Sequence, residues 1–203
     1  IIDQYKTAIQ KAFEKKTPLQ ICGGGSKNFY GNPSAVANTA ATSANVLDVT
    51  SYSGIIEYEP TELVITARAG TRLADLQAAL DQHGQMLAFE PPYFASSATL
   101  GGCIAAGLSG PRRAAVGAVR DFVLGVRMLD GKGDDLNFGG QVMKNVAGYD
   151  VSRLQAGAMG SLGVITEISL KVMPKPAHTV TLTQAISADE AITLMNKRAG
   201  VAK

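Results

Sequence analysis

Glycine is concentrated in three widely separated segments of this chain, and their placement limits what the chain can build. They are GGGSK at 23–27, SSATLGGCIAAGLSGPRRAAVG at 96–117 and GAMGSLGVIT at 157–166. Glycine adopts positive φ without strain and lets another backbone or a ligand come close to the main chain. A glycine run directly after an apolar strand, as GGGSK follows LQIC, serves either as a flexible turn or as an anion cradle made of backbone N–H groups. Three such segments converging on one ligand would explain why each exposes bare backbone, because a diphosphate offers many acceptor oxygens and little else to recognise.

Composition narrows the classes of partner. A hydrophobic fraction of 46% against 18% charged residues in 203 residues describes a globular chain with a sizeable core rather than a disordered one. The net charge of +2 is mild and the basic residues are scattered, which argues against a nucleic-acid surface. Cys22 and Cys103 lie far apart without CxxC spacing or a neighbouring histidine, so neither a disulfide scaffold nor a metal site is expected. No apolar run approaches the roughly 20 residues that span a bilayer. The amino terminus lacks a basic-then-apolar leader, and a cytoplasmic protein is expected.

Periodicity gives the elements. Ile2, Tyr5, Ile9, Ala12 and Phe13 form the apolar face of a first helix. Strands are expected at 19–22, 46–50, 63–70, 122–130 and 136–138. A second helix begins at Thr71 as N-cap, carries Leu73, Leu76, Ala79 and Leu80 on one face, and stops at Gly84. The clearest strand is 162–173, where Val164, Thr166, Ile168, Leu170 and Val172 alternate with Ile165, Glu167, Ser169 and Lys171. PKPAH at 174–178 reads as a linker, followed by a strand near 179–183 and a helix from Ser187. These last 25 residues cannot bury a core of their own; either they lean on the preceding domain or the natural protein continues.

The common nucleotide motifs fail. GGGSK inverts the Lys–Ser order of a P-loop, and Asn28 occupies the place of the third glycine of a dinucleotide fingerprint. Thr99, in contrast, is placed to cap a helix whose first turn contains Gly101 and Gly102, which would direct free N–H groups at an anion. Arg112, Arg113 and Arg120 follow it, as ligand contacts or as a solvated loop.

ATLGGCIAAGLSGPRRAAVGAVRDFVLGVRMLDGKG resembles the central segment of the FAD-binding domains of the p-cresol methylhydroxylase and vanillyl-alcohol oxidase superfamily. GGGSK is similar to their first pyrophosphate loop, and GSLGVITEISLKVMP to their G(T/S)LG(I/V)(I/V)TE segment, in matching order across residues 18–175. YEPTELVITARAGT, the GPRR step and FGGQVMKNVAGYDVSRLQAGAMGSLGVITEISLKVMPKP resemble more narrowly the FAD-binding E subunits of bacterial glycolate oxidases.

The resemblance implies an α+β fold of the PCMH type over residues 1–173, with subdomains of about 1–70 and 71–173 and the flavin between them. Residues 174–178 are then a linker, and 179–203 the start of an incomplete C-terminal cap domain. It implies that Gly23, Gly24, Gly25, Ser26 and Lys27, together with Ser97, Thr99, Gly101 and Gly102, hold the pyrophosphate of FAD. Gly107, Arg113 and Gly160 join the same cofactor-binding set, and Val164 and Ile165 lie at the adenine or isoalloxazine side. Some relatives attach flavin covalently through a histidine directly after the first glycine loop; Ser26 stands there, so non-covalent FAD is implied.

The implied reaction is oxidation of glycolate, a small 2-hydroxy acid, to glyoxylate, in a complex with a homologous flavin subunit and an iron–sulfur subunit. Any membrane contact would pass through those partners. No catalytic base is identified. His83 and His178 read as surface residues, and Lys144 and Asn145 as either ring or interface contacts or a turn. The alternatives are a flavin-binding structural or electron-relay subunit without its own substrate site, a dehydrogenase for another 2-hydroxy acid such as D-lactate, and a nucleotide-binding module unrelated to flavin.

Overall fold

Helix α1 (Ile2–Lys15) turns Tyr5 and Ile9 into a small core that it shares with two parallel strands, β1 (Gln20–Cys22) and β2 (Val46–Asp48). Phe13, expected on the same face, is 59% exposed and stands at the mouth of an apolar cleft between α1 and residues 160–164. The structure is a computed structural model that describes residues 1–31, 46–140 and 149–198.

The main body is a five-stranded antiparallel sheet made of β3 (Ile55–Glu59), β4 (Val64–Arg68), β6 (Val123–Leu129), β7 (Asp135–Gly139) and β8 (Val164–Lys171), in the order β3-β4-β8-β6-β7. A short ribbon pairs β5 (Gln85–Met86) with β9 (Met173–Pro174). β4 precedes residue 70 and β8 follows it, so the ladder of the main sheet crosses the subdomain boundary expected there. The smaller core instead gathers α1, β1, β2 and Tyr52.

Two helices cover one face of the sheet. α2 (Leu73–Asp81) buries Leu73, Leu76 and Leu80, and α3 (Leu100–Ala106) buries Leu100, Cys103 and Ile104, all against Ile65, Ala67, Val126, Ile168 and Leu170. Arg72, not Thr71, is the N-cap residue of α2. The Thr71 hydroxyl is engaged by the loop before β3, accepting from the Gly54 amide at 2.9 Å and donating to its carbonyl at 3.2 Å. Short helical turns α4 (Arg113–Val116) and α5 (Val151–Leu154) flank the sheet.

The simple alternation expected along β8 breaks at Thr166. Arg127 pairs with Glu167 and Met128 with Ile165, so Thr166 is an extra, bulged residue whose hydroxyl donates to the Arg127 carbonyl at 2.9 Å. The bulge puts Ile165 with Ile168 in the main core and turns Val164 to the opposite face, into the α1 cluster. One strand therefore anchors both cores.

Gly70 locks the two units together. A Cβ at this position would lie 2.5–2.7 Å from the carbonyl oxygens of Val49, Thr50 and Tyr52, and its amide donates to the Tyr52 carbonyl at 2.9 Å. Across the polar face of the sheet runs a row of charges: Lys6 pairs with Asp135 at 3.2 Å, Asp135 receives a two-pronged bond from Arg127, and Arg127 also reaches Glu167 at 3.0 Å. Tyr52 donates to Glu167 at 2.6 Å, and its ring stacks under Arg68.

The carboxy-terminal stretch differs from its expectation. Residues 179–187 form no strand, and α6 (Ala188–Arg198) buries no residue; Val180, Leu182, Ile192 and Met195 are 59–81% exposed. β3 and β7 stand at the edges of the main sheet, and 179–183 pairs with neither, so its short alternating pattern does not become a strand. Pro174 and Lys175 are in contrast pinned to the body, Lys175 by its amide to the Gly84 carbonyl and by its ammonium to Asp81.

The charge row predicts a pH-dependent stability. Hydrogen bonding from Arg127 holds the Asp135 carboxyl below the ordinary carboxylate range. A carboxyl depressed in the folded state stabilises above its unfolded pKa of about 4, and that contribution disappears as pH falls through the folded value. Asp135→Asn should lower unfolding free energy by about 1 kcal/mol at neutral pH, the pair being partly solvent-screened. The loss should be smaller at acid pH, shrinking as the pH falls through the lowered value of the folded carboxyl. Urea midpoints at the two pH values measure this; an equal loss at both would show that the carboxylate's charge is not what stabilises.

Candidate functional site

The first and second glycine segments meet so closely that only hydrogen fits between them. A Cβ on Gly24 would fall 1.6 Å from the Ser97 carbonyl oxygen, and the Ser97 hydroxyl donates to the Gly24 carbonyl at 2.6 Å. A Cβ on Gly23 would lie 2.8 Å from the Thr99 hydroxyl. The third segment docks on the far end of α3: the Gly157 amide donates to the Ile104 carbonyl at 3.0 Å and the Met159 amide to the Ala105 carbonyl at 2.9 Å. Gly107, which ends α3 at φ +66, leaves no room for a side chain beside Gly157.

Where the three segments meet there is a narrow hollow. Its wall includes Gly23, Gly101, Gly102, Gly160 and Ile165, with Ile21, Val49, Ala69 and Met159 added by the fold. Two wider depressions adjoin it. One, of about 470 Å³, is bordered by Gly24, Ser97 and Thr99 together with Ser53, Gly54 and Thr71. The other, of about 390 Å³, is bordered by Gly107, Arg113, Arg120 and Met159. Thus Gly23, Gly24, Ser97, Thr99, Gly101, Gly102, Gly107, Arg113, Gly160 and Ile165 lie along one continuous seam. Val164 does not: its side chain packs in the α1 cluster on the other face of β8. Lys144 and Asn145 lie outside the described residues.

The backbone donors are distributed differently from the expectation. At the start of α3 the Leu100 amide donates to the Thr71 carbonyl and the Gly101 amide to the Ala69 carbonyl, both at 2.8 Å. Gly102 donates to the Thr99 hydroxyl at 3.3 Å and Cys103 to the Thr99 carbonyl. The first turn of this helix therefore has no free N–H for an external anion. Gly101 is glycine for another reason: its Cβ would sit 2.8 Å from that of Ala69, so the helix could not rest on the strand. The amides of Gly24, Gly25, Ser26 and Lys27, on the other hand, donate to no acceptor among the described residues. Gly25, at φ +67, turns the loop so that these groups follow one another.

The site's electrostatics favour an anion. Lys27 has no ion-pair partner among the described residues; its ammonium lies 5.9 Å over the ring of Phe94, which meets Phe29 edge-on. Arg112 is used internally, with its amide on the Glu90 carboxylate and its side chain against Met86. Cys103, under the helix, is fully buried, and burial pushes its thiol up to about 12, so it is a packing group rather than a nucleophile. His83 is exposed and packs edge-on against Tyr58, away from the seam, and His178 is exposed beyond β9.

Bare glycine walls, and a loop whose amides and Lys27 ammonium are unengaged among the described residues, together fit a dinucleotide with a diphosphate at its centre. Sequence reasoning missed Ile21, Val49 and Ala69, which carry no polar signal. It also missed Met159, whose one local sign is the glycines around it; Met159 itself adopts φ +53 between Gly157 and Gly160, both at positive φ.

Comparison with known proteins agrees with this geometry. The family model described as FAD binding domain matches residues 2–153. Glycolate oxidase subunit GlcE of Escherichia coli (strain K12) is 52% identical over 91% of this chain, and glycolate oxidase subunit GlcD of Bacillus subtilis (strain 168) is 36% identical over 63% of it. The chain spans 51% of the first relative and 27% of the second. A solved structure of alkyldihydroxyacetonephosphate synthase shares the fold, with a TM-score of 0.63 at 22% identity over 85% of this chain and 30% of that one. The chain belongs to the FAD-binding domain family, and its cofactor is FAD.

Proposed function

We propose that this chain is the flavin-holding half of a glycolate-oxidising subunit, in which non-covalent FAD takes electrons from a small 2-hydroxy acid. The observation that carries the proposal is the row of amides at Gly24–Lys27, unengaged among the described residues, beside a Lys27 with no ion-pair partner among them. The 52% identity to a glycolate oxidase subunit supports the choice of substrate. When bound, FAD supplies the acceptor for a hydride equivalent from the carbon that bears the hydroxyl.

The residues divide the work. The amides of Gly24, Gly25, Ser26 and Lys27 and the Lys27 ammonium bind the diphosphate. Thr99, Gly101 and Gly102 supply a bare wall and hold the strand–helix contact, without donating. Ile165, Gly160 and Ile21 exclude water from the narrow hollow, and Gly107 and Arg113 border the wider end. Ser26 has no nucleophilic nitrogen, so the flavin stays dissociable. We read 1–173 as the FAD-binding domain, 174–178 as a linker and 179–203 as the beginning of a cap domain. The exposed apolar residues of 180–195 support this reading, since a cap continuing from them would cover them. Assembly with a second, homologous flavin subunit accords with the GlcE and GlcD names of the relatives, and an iron–sulfur subunit would take the electrons onward. Among the described residues no helix is long and apolar enough to cross a membrane.

The test uses the full-length protein under anaerobic conditions. Glycolate should bleach its visible flavin bands faster than D-lactate, and denaturation followed by ultrafiltration should release all of the flavin. Flavin that binds but is reduced by neither acid would favour an electron-relay role, and faster bleaching by D-lactate would move the substrate assignment. Gly24→Ala should weaken FAD binding about 100-fold or more, because its methyl cannot share space with the Ser97 carbonyl. Gly131→Ala, where the added carbon meets nothing within 4 Å, should leave it unchanged.

A further inference from the structure

Two arginines on the wide end of the seam are not explained by holding a diphosphate. Arg113 stands on the short helix α4 and Arg120 on the 3₁₀ turn Val119–Phe122; Gly117, at φ +99, folds the chain back between them, and both border the same 390 Å³ depression. Both are exposed, and neither has a side-chain hydrogen bond or ion pair among the described residues. The nearest acid in sequence, Asp121, is engaged by the start of its own 3₁₀ turn, accepting from the Ala118 amide at 2.8 Å. Glu90 is likewise engaged by the Arg112 amide. Among the described residues no acidic residue borders the depression itself, whose other walls are glycine, alanine, Val119, Met159 and Tyr30.

Two guanidinium groups kept free of partners at a small hollow form a site for a compact anion, since each offers the planar two-donor geometry that a carboxylate accepts. From this we infer that Arg113 and Arg120 form a carboxylate-binding site that takes the acid group of the 2-hydroxy acid, separate from the glycine loop that takes the diphosphate. The inference rests on the flavin reading above and assigns Arg113 to substrate rather than to cofactor. The same chemistry would suit a phosphate of the cofactor, and the test separates the two sources.

Oxalate, a substrate-shaped dicarboxylate with no C–H bond to oxidise, is titrated into the full-length protein by calorimetry, with FAD bound and again after its removal. FAD affinity is measured separately by flavin fluorescence. Arg113→Gln and Arg120→Gln should each weaken oxalate binding about tenfold or more, the loss of one charge-assisted bond. FAD affinity should stay within about twofold, since neither residue touches the loop amides. Oxalate binding that is absent in the wild type, or unchanged in both variants, overturns the inference. So does FAD affinity that falls in step with oxalate affinity, which would place a cofactor phosphate between the arginines. Failure of the wild type to bind FAD would instead sink the flavin reading, while the titration of the FAD-free protein would still decide whether the arginine pair binds a carboxylate.

Discussion

The backbone of the first glycine loop lies against the carbonyl of Ser97 at a distance that only a hydrogen atom permits, and the rest of the site depends on that contact. It fixes the loop after β1 to the segment that leads into α3. Gly101 against Ala69 then sets α3 on the sheet, and Gly70 against three carbonyl oxygens sets the α1 unit beside it. Each contact exchanges side-chain volume for proximity. The seam left between the two units is the cleft we propose for the cofactor, and its walls are bare because the contacts that make it require glycine.

The distribution of charge follows from the same division. On the polar face of the sheet, Lys6, Asp135, Arg127 and Glu167 satisfy one another and tie α1 to β6, β7 and β8. Among the described residues, Lys27 in the first glycine loop and Arg113 and Arg120 at the wide end of the seam have no acidic partner. The cations of the sheet face are thus neutralised locally, and the proposed ligand sites draw on the others. Burial of Cys103 in α3 pushes its thiol up to about 12, which keeps it protonated at physiological pH.

Much of this was legible in the sequence because the signals are local. Helical spacing located α1 and α2, and the glycine clusters marked the residues that meet at the seam. What escaped depends on pairing across the sheet. The bulge at Thr166 exchanges the faces of Val164 and Ile165, and nothing in an alternating run announces which residue will be left unpaired. β3 was invisible because Ile55 and Ile56 are adjacent rather than alternating, on an edge strand with both faces largely exposed. The amides of Leu100 and Gly101 looked free from sequence because their acceptors, Thr71 and Ala69, are about thirty positions away. The reason for glycine at 101 was therefore packing against a strand, although the same residue does border the narrow hollow.

The central claim is that the loop amides, and not the first turn of α3, receive the diphosphate. Hydrogen–deuterium exchange of the full-length protein, read residue by residue with and without FAD, tests it most directly. The amides of Gly24–Lys27 should exchange freely in the FAD-free protein and become protected when FAD binds, while Leu100 and Gly101, already bonded, should be slow in both states. Protection that appears on FAD binding at Leu100–Gly102, with the loop unchanged, would contradict the account.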